Sequence, residues 1–221
     1  MQLFAKALNW KRYYRAAIGA YLRDDVLEVG AGIGTNSALF SDYVRRNWVC
    51  LEPDPVLAAQ LPQEPREGFR SVIGTTEDLA ASDLFDTILY IDVLEHIEDD
   101  RAELNRAARH LRRSGVIVVL APAHQLLYTP FDKAIGHWRR YNAAALTNIT
   151  PPGLRIANVK YLDAAGLVAS LGNRIVLRSS TPTEQQILFW DRCLIPMSRF
   201  FDRLLRYRVG KSILCVWEKP A

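Results

Sequence analysis

The 221-residue sequence predicts an α/β protein built on an open, doubly wound sheet. Two observations carry this. From Asp25 to Glu52 an apolar strand runs into a glycine-rich turn, a helix and a second apolar strand, NWVCLE, that ends on a carboxylate before Pro53. Further on, DTILYID (86–92) and GVIVVL (115–120) are continuous apolar runs of the kind buried on both faces of a parallel sheet, with a charged helix between them at 99–111.

Residues 3–22 carry apolar side chains at helical spacing and form a helix ahead of the first strand, stopping before Asp24 and Asp25. The first strand covers 25–30, the helix after the turn 35–43 and the second strand 47–52. A short helix at 55–60 leads into a loop with Pro62 and Pro65, and a third short strand at 69–73 is ended by Gly74. Strands and helices then alternate, which places Gly30, Glu52, Gly74, Asp92 and Pro122 together at the carboxyl ends of the strands, where such sheets bind ligands. Residues 154–162 return to strand character, 164–209 form a helical insertion, and 212–217 close the chain as a last strand.

The glycine turn reads Glu28-x-Gly30-x-Gly32-x-Gly34, which differs from the dinucleotide pattern G-x-G-x-x-G in spacing and in holding a carboxylate in the strand end. Glycines there allow positive φ and close approach of a ligand to the backbone. The carboxylate suits a cationic ligand rather than a pyrophosphate. Glu52, at the end of the neighbouring strand, is placed to accept both hydroxyls of a ribose.

The net charge of +4 is compatible with an anionic substrate, a membrane surface or nucleic acid and selects none of them. Cys50, Cys193 and Cys215 are odd in number, far apart and set in apolar runs, so buried thiols in a reducing compartment are expected and no metal site. No apolar leader and no long uncharged segment is evident. A cytoplasmic protein is the expectation, with peripheral membrane contact left open.

These motifs resemble the class I S-adenosylmethionine-dependent methyltransferases. Glu28, Gly30, Gly32 and Gly34 match the first motif of that family, Glu52 its acidic residue after the second strand, and GTTEDL from Gly74 the loop after the third. DTILYIDVLEHIED and LRRSGVIVVLAP resemble its fourth- and fifth-strand motifs, all in the family's order. The resemblance implies a Rossmann-like sheet of seven strands in a single domain over 1–221, the last strand antiparallel. A core at 24–122 would follow the N-terminal helix (1–23), with caps at 123–152 and 163–210, the second between the last two strands. It also implies S-adenosyl-L-methionine as cofactor, with its methionine end near Glu28 and Gly30, its ribose on Glu52, its adenine near Thr76 and Glu77, and its sulfonium flanked by Ile91 and Asp92. Thr75 stands where many relatives have an aspartate that accepts from the adenine. After the fifth strand, Asp132, Gly136-His137 and Arg140-Tyr141 resemble a pattern of a bacterial subgroup, and Asn9 and Trp10 its entry helix.

Methyl transfer from a sulfonium is an in-line displacement, so positioning, exclusion of water and sometimes a general base are what such a protein supplies. His124, His137 and Tyr141 are the candidates for moving a proton, and Asp132, Arg139 and Arg140 for binding substrate; the alternative is that they hold the loop together. Arg139 and Arg140 are adjacent and diverge on a helix, so one of them would face an anionic acceptor. His96 is expected to tie its turn to the sheet. In the insertion, Trp190, Leu194, Met197, Phe201 and Leu204 fall on one stripe, expected as core or pocket wall, with a basic amphipathic surface on anionic lipid as the other reading. Pro196 is expected to kink or split that helix.

The function expected is methyl transfer to oxygen or nitrogen of a small-molecule or lipid-linked acceptor. The rivals are a cofactor-binding enzyme of this fold that does not methylate, as in a cyclase, and a membrane-peripheral binding protein. No nucleic-acid partner is expected: APAH stands where base-methylating enzymes carry Asn/Asp-Pro-Pro-aromatic, and there is no dense basic tract.

Overall fold

A computed structural model describes residues 6–43, 45–61, 68–176 and 183–221, without the side chains of 173–176. The loop expected around Pro62 and Pro65, and the first residues of the N-terminal helix, lie outside them. The described part of that helix is α1 (Leu8–Gly19); β1 (Asp25–Val29), α2 (Thr35–Leu39), β2 (Asn47–Glu52), α3 (Pro55–Ala58) and β3 (Phe69–Ile73) follow. Next come β4 (Phe85–Ile91), α4 (Asp100–Arg109), β5 (Leu111–Pro122), α5 (Pro130–Ala134), α6 (Ala143–Asn148) and β6 (Arg155–Leu162). The chain ends with α7 (Ala164–Val176), α8 (Glu184–Phe189), α9 (Ile195–Leu204) and β7 (Ser212–Glu218).

The seven strands form one sheet in the order β3-β2-β1-β4-β5-β7-β6, with β7 antiparallel to both neighbours. Chain direction across the sheet reverses between β1 and β4, and the crevice at that switch point opens beside the glycine turn. Alternate side chains feed two cores. Val26, Trp48, Leu89, Val118 and Leu214 pack with α1 and Ile195 on one face. Leu27, Val49, Tyr90, Val119 and Trp217 pack with Leu104 of α4 and Leu146 of α6 on the other. Strands buried on both faces explain why their sequences are unbroken apolar runs.

Two features of the connections have local causes, the second of them the split expected at Pro196. No helix joins β3 to β4; the Asp78 carboxylate instead accepts the Thr75 amide at 2.7 Å and its hydroxyl at 3.1 Å, fixing a tight turn. In the late insertion, Trp190–Leu194 winds as a π-helix immediately before α9, which carries Pro196 in its first turn. Proline has no amide hydrogen and clashes with the carbonyl four residues back, and the wider winding accommodates both.

The buried face of that insertion is not the expected apolar stripe. It is Ile187, Asp191, Ile195, Ser198 and Asp202, while Met197, Phe201 and Leu204 face outward. Its two aspartates act as caps for other helices. Asp191 accepts the amides of Asn9 and Trp10 at the start of α1, at 3.1 and 2.9 Å. Asp202 accepts those of Asp163 and Ala164 at the start of α7, at 2.8 and 2.9 Å, and the Tyr13 hydroxyl at 2.7 Å. A period-3.6 count of apolar residues cannot see this, because the inward face is chosen by the donors it satisfies. Replacing Asp202 with Ala strands three buried donors, so Asp202→Ala should lower stability by about 2–4 kcal/mol in urea denaturation, whereas Arg203→Ala on the exposed side should change it by less than about 0.5 kcal/mol.

Candidate functional site

The corner where β1 meets the glycine turn is shaped by three glycines. Gly30, Gly32 and Gly34 all have positive φ, at +67°, +57° and +81°. A Cβ on Gly30 would meet Val93 Cγ2 at 2.7 Å, whereas one on Gly32 would meet nothing within 4 Å. The Gly30 position is therefore glycine for packing, and the Gly32 position borders open space. Glu52 secures the turn: its Oε2 accepts the Gly32 amide at 2.7 Å and its Oε1 the Asp54 amide at 3.0 Å.

Glu28 is buried behind the turn. Its Oε2 accepts from Ser37 Oγ at 2.6 Å and Trp48 Nε1 at 3.0 Å, while Oε1 has no partner. Burial pushes its carboxyl up to about 7, against the opposing effect of Ser37, Trp48 and Asn36. Tyr14 donates to Asn36 Oδ1 at 2.7 Å on the same side, and Glu28 and Asp92 both act on the Tyr14 hydroxyl. Neither Tyr14 nor Asn36 was picked out from the sequence, because Tyr14 reads as one more apolar position of α1. Asp92, just past β4, keeps solvent access although protein crowds it; desolvation raises its pKa, and His137 opposes this. It holds a left-handed backbone, φ +54°, uncommon outside glycine and a mark of strained sites. Ile91, beside it, is buried.

Thr76 and Glu77, expected near the adenine, both bond to α4. Thr76 is 2% exposed and gives its hydroxyl to Glu103 Oε2 at 2.8 Å, and the exposed Glu77 pairs with Arg106 at 3.2 Å. Both side chains are anchored to α4.

The loop after β5 returns along its own origin. Ala123 and Tyr141 form an isolated parallel bridge, with the Tyr141 amide on Pro122 O at 2.9 Å and the His124 amide on Tyr141 O at 2.7 Å. Tyr141 is 1% exposed, and its hydroxyl donates to Asp100 Oδ2 at 2.8 Å. Burial raises its pKa beyond the ordinary phenol range, followed by the Asp100 bond, so it holds the loop and presents no surface for proton relay. His124 stacks on Tyr161 with ring centroids 5.1 Å apart, and its Nε2 lies 3.0 Å from Gly210 O. Arg139 pairs with Asp100 at 2.7 Å and donates to Glu98 O at 2.6 Å.

Asp132, also 1% exposed, is the hub of this loop. It accepts from Arg140 Nε and Nη2 at 2.8 and 2.9 Å, from the Thr129 amide and hydroxyl at 2.8 and 2.9 Å, and faces His137 Nδ1 at 3.0 Å. Although burial works to raise it, these donors hold its carboxyl below the usual range. His137 thereby directs Nε2 toward Glu95, 3.8 Å away. The Lys211 ammonium lies 5.3 Å from the Trp190 ring centroid, and its pKa is lowered by burial, with Asp163 opposing and Arg140 and Asp132 also within electrostatic reach. Lys211 was overlooked in the sequence because it lies between the insertion and the last strand, in no motif.

Residues 8–155 match the family model of a methyltransferase domain. The chain belongs to the methyltransferase-domain family. A Mycolicibacterium smegmatis protein described as a "Probable S-adenosylmethionine-dependent methyltransferase" is 30% identical over 153 residues, 67% of this chain and 56% of that protein, so the match spans little more than half of the relative's length. A S-adenosylmethionine-dependent methyltransferase from Archaeoglobus fulgidus matches 97% of this chain and 95% of its own at a TM-score of 0.64 and 16% identity. The N-methyltransferase NodS of Bradyrhizobium japonicum, solved with S-adenosyl-L-homocysteine, matches 95% and 85% at 0.60 and 12%. The fold is the Rossmann-like class I methyltransferase fold, and S-adenosylmethionine is the cofactor of the family. The residues present fit it: an unpaired, buried carboxylate oxygen on Glu28 suits the methionine ammonium, and the open side of Gly32 leaves room against the backbone.

In the cofactor-free protein the raised Glu28 pKa stabilises the fold fully below about pH 4.5, its unfolded value, and this contribution is lost as pH rises toward 7. That amounts to on the order of 3 kcal/mol, and Glu28→Gln should remove this part of the stability slope. A bound ammonium favours the carboxylate, so S-adenosylmethionine binding near pH 6 should release close to one proton. Calorimetry in buffers of different ionisation enthalpy checks this, and Glu28→Gln should abolish the release. Gly32→Ala should keep the fold, with a backbone cost of about 1 kcal/mol, yet weaken cofactor binding about 10-fold or more because the methyl enters the open space.

Proposed function

We propose that this protein transfers the methyl group of S-adenosylmethionine to oxygen or nitrogen of a small-molecule or lipid-linked acceptor that carries an anionic group. The observation that carries the reading is the unpaired Glu28 oxygen beneath the glycine turn, with Glu52 on one side and the accessible Asp92 on the other. A carboxylate-rich corner positions a sulfonium compound, and the reaction then needs an acceptor held in line with it. Lys211 is the cation assigned to the acceptor's anionic group, since Arg140 is committed to Asp132. His137 is the candidate whose outer ring nitrogen is directed inward by a carboxylate, the arrangement that orients a base. His124 and Tyr141 are assigned to holding the cap.

Purified protein should bind S-adenosylmethionine in calorimetry, lose that binding in Gly32→Arg, and form S-adenosylhomocysteine when anionic acceptors are screened. No binding in the intact protein rejects the reading, and binding without product across accepted substrates favours a non-methylating enzyme. Lys211→Met should raise KM for an anionic acceptor about 10-fold or more with cofactor affinity unchanged.

The outer face of α8 and α9 favours lipid-linked acceptors. Phe189, Met197, Phe200, Phe201, Leu204 and Leu205 are exposed there, between Arg192, Arg199, Arg203 and Arg206. Among the described residues no helix is long and apolar enough to cross a membrane, so contact at the surface of anionic lipid is the geometry proposed. Flotation with anionic vesicles should be lost in Arg199→Glu/Arg203→Glu and be absent with zwitterionic vesicles; equal flotation with both kinds rejects it.

A further inference from the structure

Glu95 is fully buried, and neither of its carboxylate oxygens has a hydrogen-bond partner. Such a group is costly unless something cationic meets it. Its neighbours are two histidines from different motifs. His96 is adjacent in sequence, and His137 arrives from the loop after β5, whose Trp138 amide bonds Glu95 O at 2.8 Å. The His96 and His137 rings lie 4.6 Å apart at 80°. One ligating atom from each of Glu95, His96 and His137 lies within 4.8 Å of the others, among the described residues.

The detail that decides what fits is the state of His137. Its Nδ1 faces the Asp132 carboxylate, which Arg140 and Thr129 hold ionised, so Nδ1 carries the proton. In the neutral ring, Nε2 then presents a lone pair toward Glu95 Oε1 at 3.8 Å, a gap too wide for a direct hydrogen bond. A cation in that gap resolves both the orphaned carboxylate and the facing lone pairs.

We propose that Glu95, His96 and His137 bind a divalent transition metal of the zinc class, with Asp132 as the residue that orients His137. Two imidazoles and a carboxylate select such a metal over magnesium or calcium. Tetrahedral ligands about 2.1 Å from a metal are about 3.4 Å from each other, so the cluster must contract by no more than side-chain adjustment. Hydrogen bonding of a ligating histidine to a carboxylate is the usual outer-shell arrangement of such sites. Three protein ligands leave positions open. The open positions take an oxygen of the acceptor. His137 then serves as ligand, in place of the proton-transfer role considered above. The site does not depend on whether a methyl group is transferred.

Tag-free protein stripped with a chelator is titrated with cobalt(II) alone, followed by its d–d absorption, and with zinc(II) by calorimetry. One equivalent should bind. Glu95→Gln and His96→Ala should each abolish binding or weaken it at least about 100-fold, and Asp132→Asn should weaken it about 10–100-fold. Because His96 is only partly buried, His96→Ala should leave circular dichroism and S-adenosylmethionine affinity unchanged, which separates loss of the metal from loss of the fold. Absence of binding in the parent protein overturns the proposal. So does binding that is unchanged in both Glu95→Gln and His96→Ala, or a thiolate-to-cobalt charge-transfer band that places the ion on the exposed Cys193.

Discussion

A carboxylate removed from water must be met by donors, and this fold is assembled around that requirement. At the amino-terminal edge of the sheet Asp25 gathers Arg46, Asn47 and Arg112, which hold its carboxyl down to about 2 against the pull of burial. On the far face Glu103 receives Tyr90 and Thr76. Asp163, Asp191 and Asp202 fasten the late insertion, Asp163 taking Trp190 Nε1 at 2.7 Å and Ser198 Oγ at 2.7 Å. Asp132 fastens the loop after β5. Against this pattern the exceptions stand out: among the described residues, the buried carboxylate oxygens left unmatched are those of Glu28 and Glu95. One lies behind the glycine turn and the other behind the end of β4, on either side of the crevice. Their unmet need is an argument for ligands at both places.

Topology brings these two places together. β1 and β4 are neighbours in the sheet although β2 and β3 lie between them in sequence, so the turns after each strand share one crevice. β5 lies next to β4, and the loop it emits folds back to pair Tyr141 with Ala123. This return delivers His137 to Glu95 and His96. The buried Tyr141 hydroxyl and the Asp100–Arg139 pair are what fix the return path, which is why residues that look chemical in sequence serve as fastenings.

Much of the architecture was legible from the sequence. The strands at 47–52 and 69–73 have their expected ends, because turn residues and a sharp change of polarity mark both. The glycine turn, Glu28 and Glu52 were legible for the same reason: local backbone demands leave a local signature. The late insertion was legible only as helical. Its inward face was misjudged because two aspartates there satisfy the amides of distant helices, while Met197, Phe201 and Leu204, counted as core, face outward.

The sequence by itself determined the order of strands and helices and the glycine turn with its flanking carboxylates, since periodicity, glycine and carboxylate spacing act within a few residues of one another. Only the tertiary structure decided which polar groups are matched. It turned Thr76 into α4, tied His124 to Gly210, brought Lys211 near Arg140, and set His137 opposite a carboxylate some forty positions earlier in the chain. Hydrogen bonding and desolvation depend on what surrounds an atom in space, and one-dimensional spacing carries almost none of that information.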